Sequence, residues 1–241
     1  MKRKKSRHGV VSHVGVVLSF VIFVTFILFI YLIIRPAITT ENKQNILDNL
    51  ETEVRENSSA NLISASVFIG EFSETCVKLD SFFNNVEAGD RIVVKNSEGE
   101  VLNVKISGQD LYVEKTSEDI FLKISGSGEF DVTETGTMSG CRHLSEEGGY
   151  VLGLVQTEKN IFEKRILQLI EIYNQNYEGL KESLNLASGN DFSLGFIYSN
   201  ETSISTEREE IFTDVFIEEV PIQYISKNAD KEAGFLKLGV W

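Results

Sequence analysis

The stretch VVSHVGVVLSFVIFVTFILFIYLII, residues 10–34, decides how this chain is read. It holds no Asp, Glu, Lys or Arg, and its only polar side chains are Ser12, His13, Ser19, Thr25 and Tyr31. As a helix rising about 1.5 Å per residue it would exceed the roughly 30 Å of a bilayer's hydrocarbon, and a run of this length reads as a transmembrane helix. A soluble core helix is seldom apolar on every side for so long. A cleaved secretory signal has a shorter apolar region ending at a small-residue site, whereas this run ends Ile33-Ile34-Arg35-Pro36.

Charge is distributed to match. Lys2, Arg3, Lys4, Lys5 and Arg7 precede the run and Arg35 follows it, while no acid precedes Glu41. The net charge of −13 thus conceals a basic head and a strongly acidic body. By the positive-inside rule the expectation is a single-pass protein in the cell membrane, with a cytoplasmic N-terminus and an extracytoplasmic C-terminal domain. The lipid bilayer is then its first partner. An acidic body repels phosphates, so nucleic acid is excluded as a partner. With 2 Cys and 3 His in 241 residues, neither a disulfide-dense scaffold nor a zinc cluster is expected.

The junction Arg7-His8-Gly9-Val10-Val11-Ser12-His13-Val14-Gly15 resembles the start of archaeal type IV pilins and pilin-like proteins: bases, a Gly, then a Ser-containing entry into a long apolar helix. The resemblance covers the N-terminal segment only. It implies cleavage between Gly9 and Val10 by a prepilin-type peptidase, retention of the helix as the packing element of a filament, and self or other pilin-like subunits as partners. His8 replaces the usual base, His13 the usual Pro, and Val14 the usual Glu; an uncleaved anchor is the alternative. Gly15 and Ser19 form a small-xxx-small pair that lets two helices approach closely.

Beyond the run, Pro36 is expected to kink or end the helix. Thr39-Thr40-Glu41 would then open a stalk helix carrying Ile46, Leu47, Leu50 and Val54 as far as residue 58. Short Val/Ile/Phe-rich runs follow at 62–69, 91–95, 101–106, 111–114 and 120–124, separated by Gly, Asn, Asp and Ser turns. One long amphipathic helix is read from Phe162, Ile166, Leu169, Tyr173, Tyr177, Leu180 and Leu184, which share a face. Strands at 192–198, 215–225 and 235–241 close the chain, with Pro221 pointing to an edge or a bulge. The fold class expected is α+β: a transmembrane helix continuing into a stalk helix, then an antiparallel β-rich domain with one long amphipathic helix. The divisions are 1–9, 10–35, 36–58 and 59–241, with a sub-boundary near Glu146 left open.

Cys76 and Cys141 can form one disulfide closing a 65-residue loop, the alternative being two buried thiols. Asn57-Ser58-Ser59 and Asn200-Glu201-Thr202 are glycosylation triplets. Catalytic signals are weak. His143 is the one histidine of the body, no Gly-x-Ser-x-Gly elbow occurs, and the Gly126 and Gly136 turns lack a phosphate-loop Lys. The acid pairs Glu146-Glu147 and Glu209-Glu210 read as solvated faces. No catalytic, cofactor or metal residue is assigned, and the chain is read as a non-enzyme: a pilin-like structural or cell-envelope subunit. The alternative is a non-assembling binding module or an accessory subunit of a secretion or filament machine.

Overall fold

The computed structural model describes residues 9–187, 189–206 and 215–241, with the side chains of 9–14 and 32–42 outside that description. The chain divides into two compact units, Met1–Asp48 and Asn49–Trp241. One helix, α1 (Gly9–Asn57), starts in the first and ends in the second. Then follow β1 (Ser59–Phe68), β2 (Cys76–Leu79), α2 (Phe82–Asn85), β3 (Ile92–Lys95), β4 (Val101–Leu102), β5 (Val104–Ser107), β6 (Asp110–Glu114), β7 (Phe121–Gly126) and β8 (Arg142–Leu144). The last elements are β9 (Val151–Phe162), α3 (Glu163–Gln175), α4 (Tyr177–Ser183), β10 (Phe192–Tyr198), β11 (Ser203–Ser205), β12 (Phe216–Ile225) and β13 (Lys231–Val240).

The membrane-spanning reading of residues 10–34 is overturned: among the described residues no helix is long and apolar enough to cross a membrane. From Lys43 onward the helix carries charge. The single-pass topology and the localisation built on it fall with that span. At Pro36, where the sequence reading expects a kink or an end, α1 continues as one 49-residue helix. A proline removes one backbone hydrogen bond, and a helix of this length continues past that loss.

The second unit is α+β, but its sheets are mixed and not purely antiparallel. A nine-stranded sheet runs β11-β10-β13-β12-β9-β1-β7-β3-β4, and a four-stranded sheet runs β5-β6-β2-β8. Two pairings are parallel, β12 with β9 and β2 with β8. The run at 101–106 is two strands because Asn103 interrupts it. β4 stays in the large sheet with β3, and β5 crosses to pair with β6.

The two sheets bury one core between them, with Val67, Val77, Leu79, Phe82, Leu111 and Leu122 all fully buried. β9 shifts register against β1 between Ala65 and Val67. Gly153 sits at this shift, where a Cβ would lie 2.6 Å from Ser66 Oγ and 3.3 Å from the Ser66 carbonyl oxygen, so a larger residue there requires the Ser66 hydroxyl to turn away. β12 pairs with β13 along its whole length but with β9 only at Tyr224 and Ile225. Pro221 therefore sits where β12 has a strand on one side only among the described residues, which suits a residue lacking an N–H.

The single amphipathic helix is also corrected. Phe162 ends β9, and the helical run breaks at Asn176, whose backbone (φ −148°, ψ 69°) is not helical. Asn176 Oδ1 accepts a hydrogen bond from the Gly179 N–H at 3.2 Å, capping α4. Asparagine competes well for that role, and the apolar spacing survives the break: Ile166, Leu169, Tyr173, Leu180 and Leu184 are all buried. Tyr173 and Phe192 meet edge to face at 5.2 Å, and Phe196 and Tyr224 at 5.0 Å.

Candidate functional site

α1 presents the largest apolar surface among the described residues. Phe20, Phe23 and Phe26 are 66%, 61% and 60% exposed, and Val21, Ile22, Ile27, Leu28 and Phe29 are exposed with them. Consecutive residues of a helix point about 100° apart, so a run exposed at 20, 21, 22 and 23 is apolar on all sides. The one polar group in its middle is satisfied on the helix's own backbone: Thr25 Oγ1 donates to the Val21 carbonyl at 2.8 Å. Gly15 and Ser19 lie at one end of this surface, both exposed, and nothing stands within 4 Å of the position of a Gly15 Cβ. Of the processing pair, Gly9 and Val10 open α1, with residues 1–8 and both side chains outside the described residues.

The end of α1 that lies in the second unit is tied down locally. Leu50 and Val54, on the last turns of α1, are fully buried. Arg55 donates to the Pro221 carbonyl at 3.1 Å, Asn185 donates to Glu53 at 2.9 Å, and Lys159 pairs with Glu56.

Cys76 and Cys141 form a disulfide across 65 residues. Cys76 opens β2 and Cys141 immediately precedes β8, strands that run side by side with Val77 opposite Arg142, so the bridge clamps a three-residue strand to its neighbour. Reduction, or the double substitution Cys76→Ser with Cys141→Ser, should lower stability by about 2–4 kcal/mol. Urea unfolding with and without reductant checks this; an unchanged midpoint would show that the loop is held by β8 pairing alone.

The same two strands gather a charged cluster that the sequence reading missed. Lys78 Nζ lies 2.7 Å from both Asp80 Oδ1 and Asp110 Oδ2, and His143 Nδ1 lies 3.6 Å from Asp80 Oδ1. Hydrogen bonds to Asp110 and then Asp80 push the Lys78 ammonium well above its ordinary value, against the cost of its burial. Burial raises the Asp110 carboxyl, but the Lys78 ammonium and the Ser81 N–H outweigh it and hold the group below its usual range. Asp80 and Asp110 both pair with Lys78, and His143, 68% exposed, stands beside Asp80 on an open face. The local signal was Lys78-Leu79-Asp80, an ammonium and a carboxylate two residues apart where β2 ends.

Two cavities are notable. One of about 720 Å³ is lined by Thr75, Lys105, Glu114, Lys115, Thr137 and Met138 among others. The Lys115 ammonium, 5% exposed, donates to the Phe72 and Thr116 carbonyls; burial pulls its pKa down, partly opposed by Asp119 and Glu74. The other, about 400 Å³, is floored by Phe130, Phe162 and Ile225, with Glu163, Lys164 and Lys227 among its polar lining. Neither lining includes a histidine, and among the described residues no group of three or more His, Cys, Asp or Glu is placed to hold a metal. Glu146 accepts a hydrogen bond from Asn85 at 2.7 Å; Glu209 and Glu210 lie outside the described residues. Asn57 ends α1, and Asn200 occupies the turn between β10 and β11.

A tyrosine–carboxylate array ties α3 to the large sheet. Tyr198 donates to Glu163, and Tyr224 donates to Glu232, both at 2.8 Å. Burial first, and then donation to a carboxylate, pushes Tyr198 up to about 12 and Tyr224 higher still. These protons are held more tightly in the folded chain than in the unfolded one. The stabilisation is complete below the ordinary tyrosine value near 10 and is lost as pH rises through about 12. Thermal unfolding measured from pH 9 to 12 should show a falling Tm, and the Tyr198→Phe variant should fall less steeply. Parallel curves would detach the effect from this array.

No family model, no curated protein and no solved structure matches the chain.

Proposed function

We propose that this chain is a structural subunit that assembles through α1, the apolar segment 15–31 of one copy packing against the same segment of others, while the second unit supplies the acidic folded body. The observation that carries this is the exposure of large apolar side chains on every side of the helix. Water-exposed apolar area costs about 25 cal/mol per Å², and contiguous patches of this extent mark interaction surfaces. A helix apolar all round is stable when it is covered all round, and other copies supply the same chemistry on every side. The Gly15 and Ser19 positions offer a line of close backbone approach, and the N-terminal resemblance to pilin-like proteins points to the same use of the helix. Sedimentation of the full chain tests this. Mass above 27.1 kDa that increases with concentration is expected; a single chain at every concentration would refute assembly.

A further inference from the structure

We infer that Asn200, and not Asn57, is an acceptor for an N-linked glycan. The two triplets are equivalent as text and opposite as chemistry.

At Asn57 the side-chain nitrogen and the serine hydroxyl that the transfer needs are already committed. Its side-chain nitrogen Nδ2 donates to the Glu53 carbonyl at 2.8 Å, the Ser59 hydroxyl donates to the Arg55 carbonyl at 2.6 Å, and the Ser58 N–H donates to the Val54 carbonyl at 2.9 Å. Ser58 between them is fully buried. The triplet spans the last turn of α1 and the first residue of β1, so straightening it into an enzyme's groove would unmake both.

Asn200 lies in the exposed turn between β10 and β11. The turn closes through the Tyr198 N–H on the Thr202 carbonyl at 2.9 Å and the Glu201 N–H on the Tyr198 carbonyl at 3.0 Å, with Glu201 at φ +67°. Asn200 Oδ1 accepts from the Thr202 N–H at 3.0 Å and from the Thr202 hydroxyl at 2.6 Å. Its Nδ2 makes no hydrogen bond among the described residues. β11 is the three-residue strand at the edge of the large sheet, and all three of its residues are exposed, so the turn can be drawn into a transferase without disturbing a core.

The reacting geometry is in place. The Thr202 hydroxyl polarises the carboxamide through Oδ1 while Nδ2 stays free to react. With a sugar diphospholipid as donor, Nδ2 attacks C1 of the sugar. The Nδ2–C1 bond forms, the C1–O bond to phosphate breaks, the lipid diphosphate leaves with the electron pair, and one Nδ2 proton passes to a base of the transferase.

The test incubates the folded full-length chain with a purified oligosaccharyltransferase and a lipid-diphosphate oligosaccharide, and locates the glycan by peptide mass. One glycan on Asn200 and none on Asn57 is expected. Asn200→Gln should abolish it, and Thr202→Val should lower its yield at least tenfold. A synthetic peptide spanning 196–206 is run alongside. Modification of the peptide but not the folded chain would mean that the turn is closed to the enzyme, and failure of both would mean that the triplet is not an acceptor. Either result overturns the assignment, as does a glycan on Asn57 of the folded chain.

Discussion

Replacing Tyr224 by alanine should destabilise the second unit by about 3–5 kcal/mol, the range for emptying a large aromatic site in a packed core. Tyr224 is 1% exposed and lies on β12, the strand that joins the β10–β13 side of the large sheet to β9. Its ring meets Phe196 edge to face, and its hydroxyl is held by Glu232. The two residues that pair β12 with β9 are Tyr224 and Ile225, opposite Ile161 and Phe162, so the loss falls where the sheet is narrowest. Tyr224→Phe keeps the ring and removes only the hydroxyl, and should cost about 1 kcal/mol. Urea unfolding of the three proteins separates these sizes. Equal losses for alanine and phenylalanine would mean that the hydroxyl, and not the packing, holds this joint.

The second large effect belongs to α1. Phe23→Lys combined with Phe26→Lys places two ammonium groups about one turn apart on the exposed apolar surface, where packing against another copy would require both to lose their water. The double variant should reduce any assembled species to single chains, while the urea midpoint of the second unit stays unchanged, because neither residue belongs to that unit. Light scattering reads the first and tryptophan fluorescence of Trp241 the second. Persistence of the assembled mass would move the contact elsewhere on the chain.

Much of the second unit was legible because its strands follow simple alternation. The run at 192–198 matches β10 residue for residue, and those at 62–69 and 120–124 fall on β1 and β7. The runs at 91–95, 111–114, 215–225 and 235–241 fall on β3, β6, β12 and β13, and the one at 101–106 covers β4 and β5; β2, β8 and β9 escaped for identifiable reasons. β9 is exposed along most of its length and shows no inside–outside alternation, and its Glu158 and Lys159 resemble the polar face of the helix that follows. β2 and β8 are four and three residues long; their parallel pairing is a long-range event that no local pattern announces. The Lys78 cluster was hidden with them, because Asp110 and His143 reach it from distant parts of the chain.

The disulfide could be named as a pair, since the chain has two cysteines, but not placed across adjacent strands. Asn176 carried a capping signal inside a perfect apolar spacing, and the spacing dominated the reading. At the N-terminus the apolar composition was read as a membrane span, whereas the described structure shows a helix with exposed apolar sides and no segment long and apolar enough to cross. Composition reports that such a surface must be covered; it does not report by what.

The most direct measurement replaces Ile22 with a photoreactive amino acid in the full-length chain and irradiates it in solution. The account predicts covalent dimers and higher species joined between segments 15–31 of different copies, with yields that rise with concentration. Adducts confined within single chains at every concentration would contradict it.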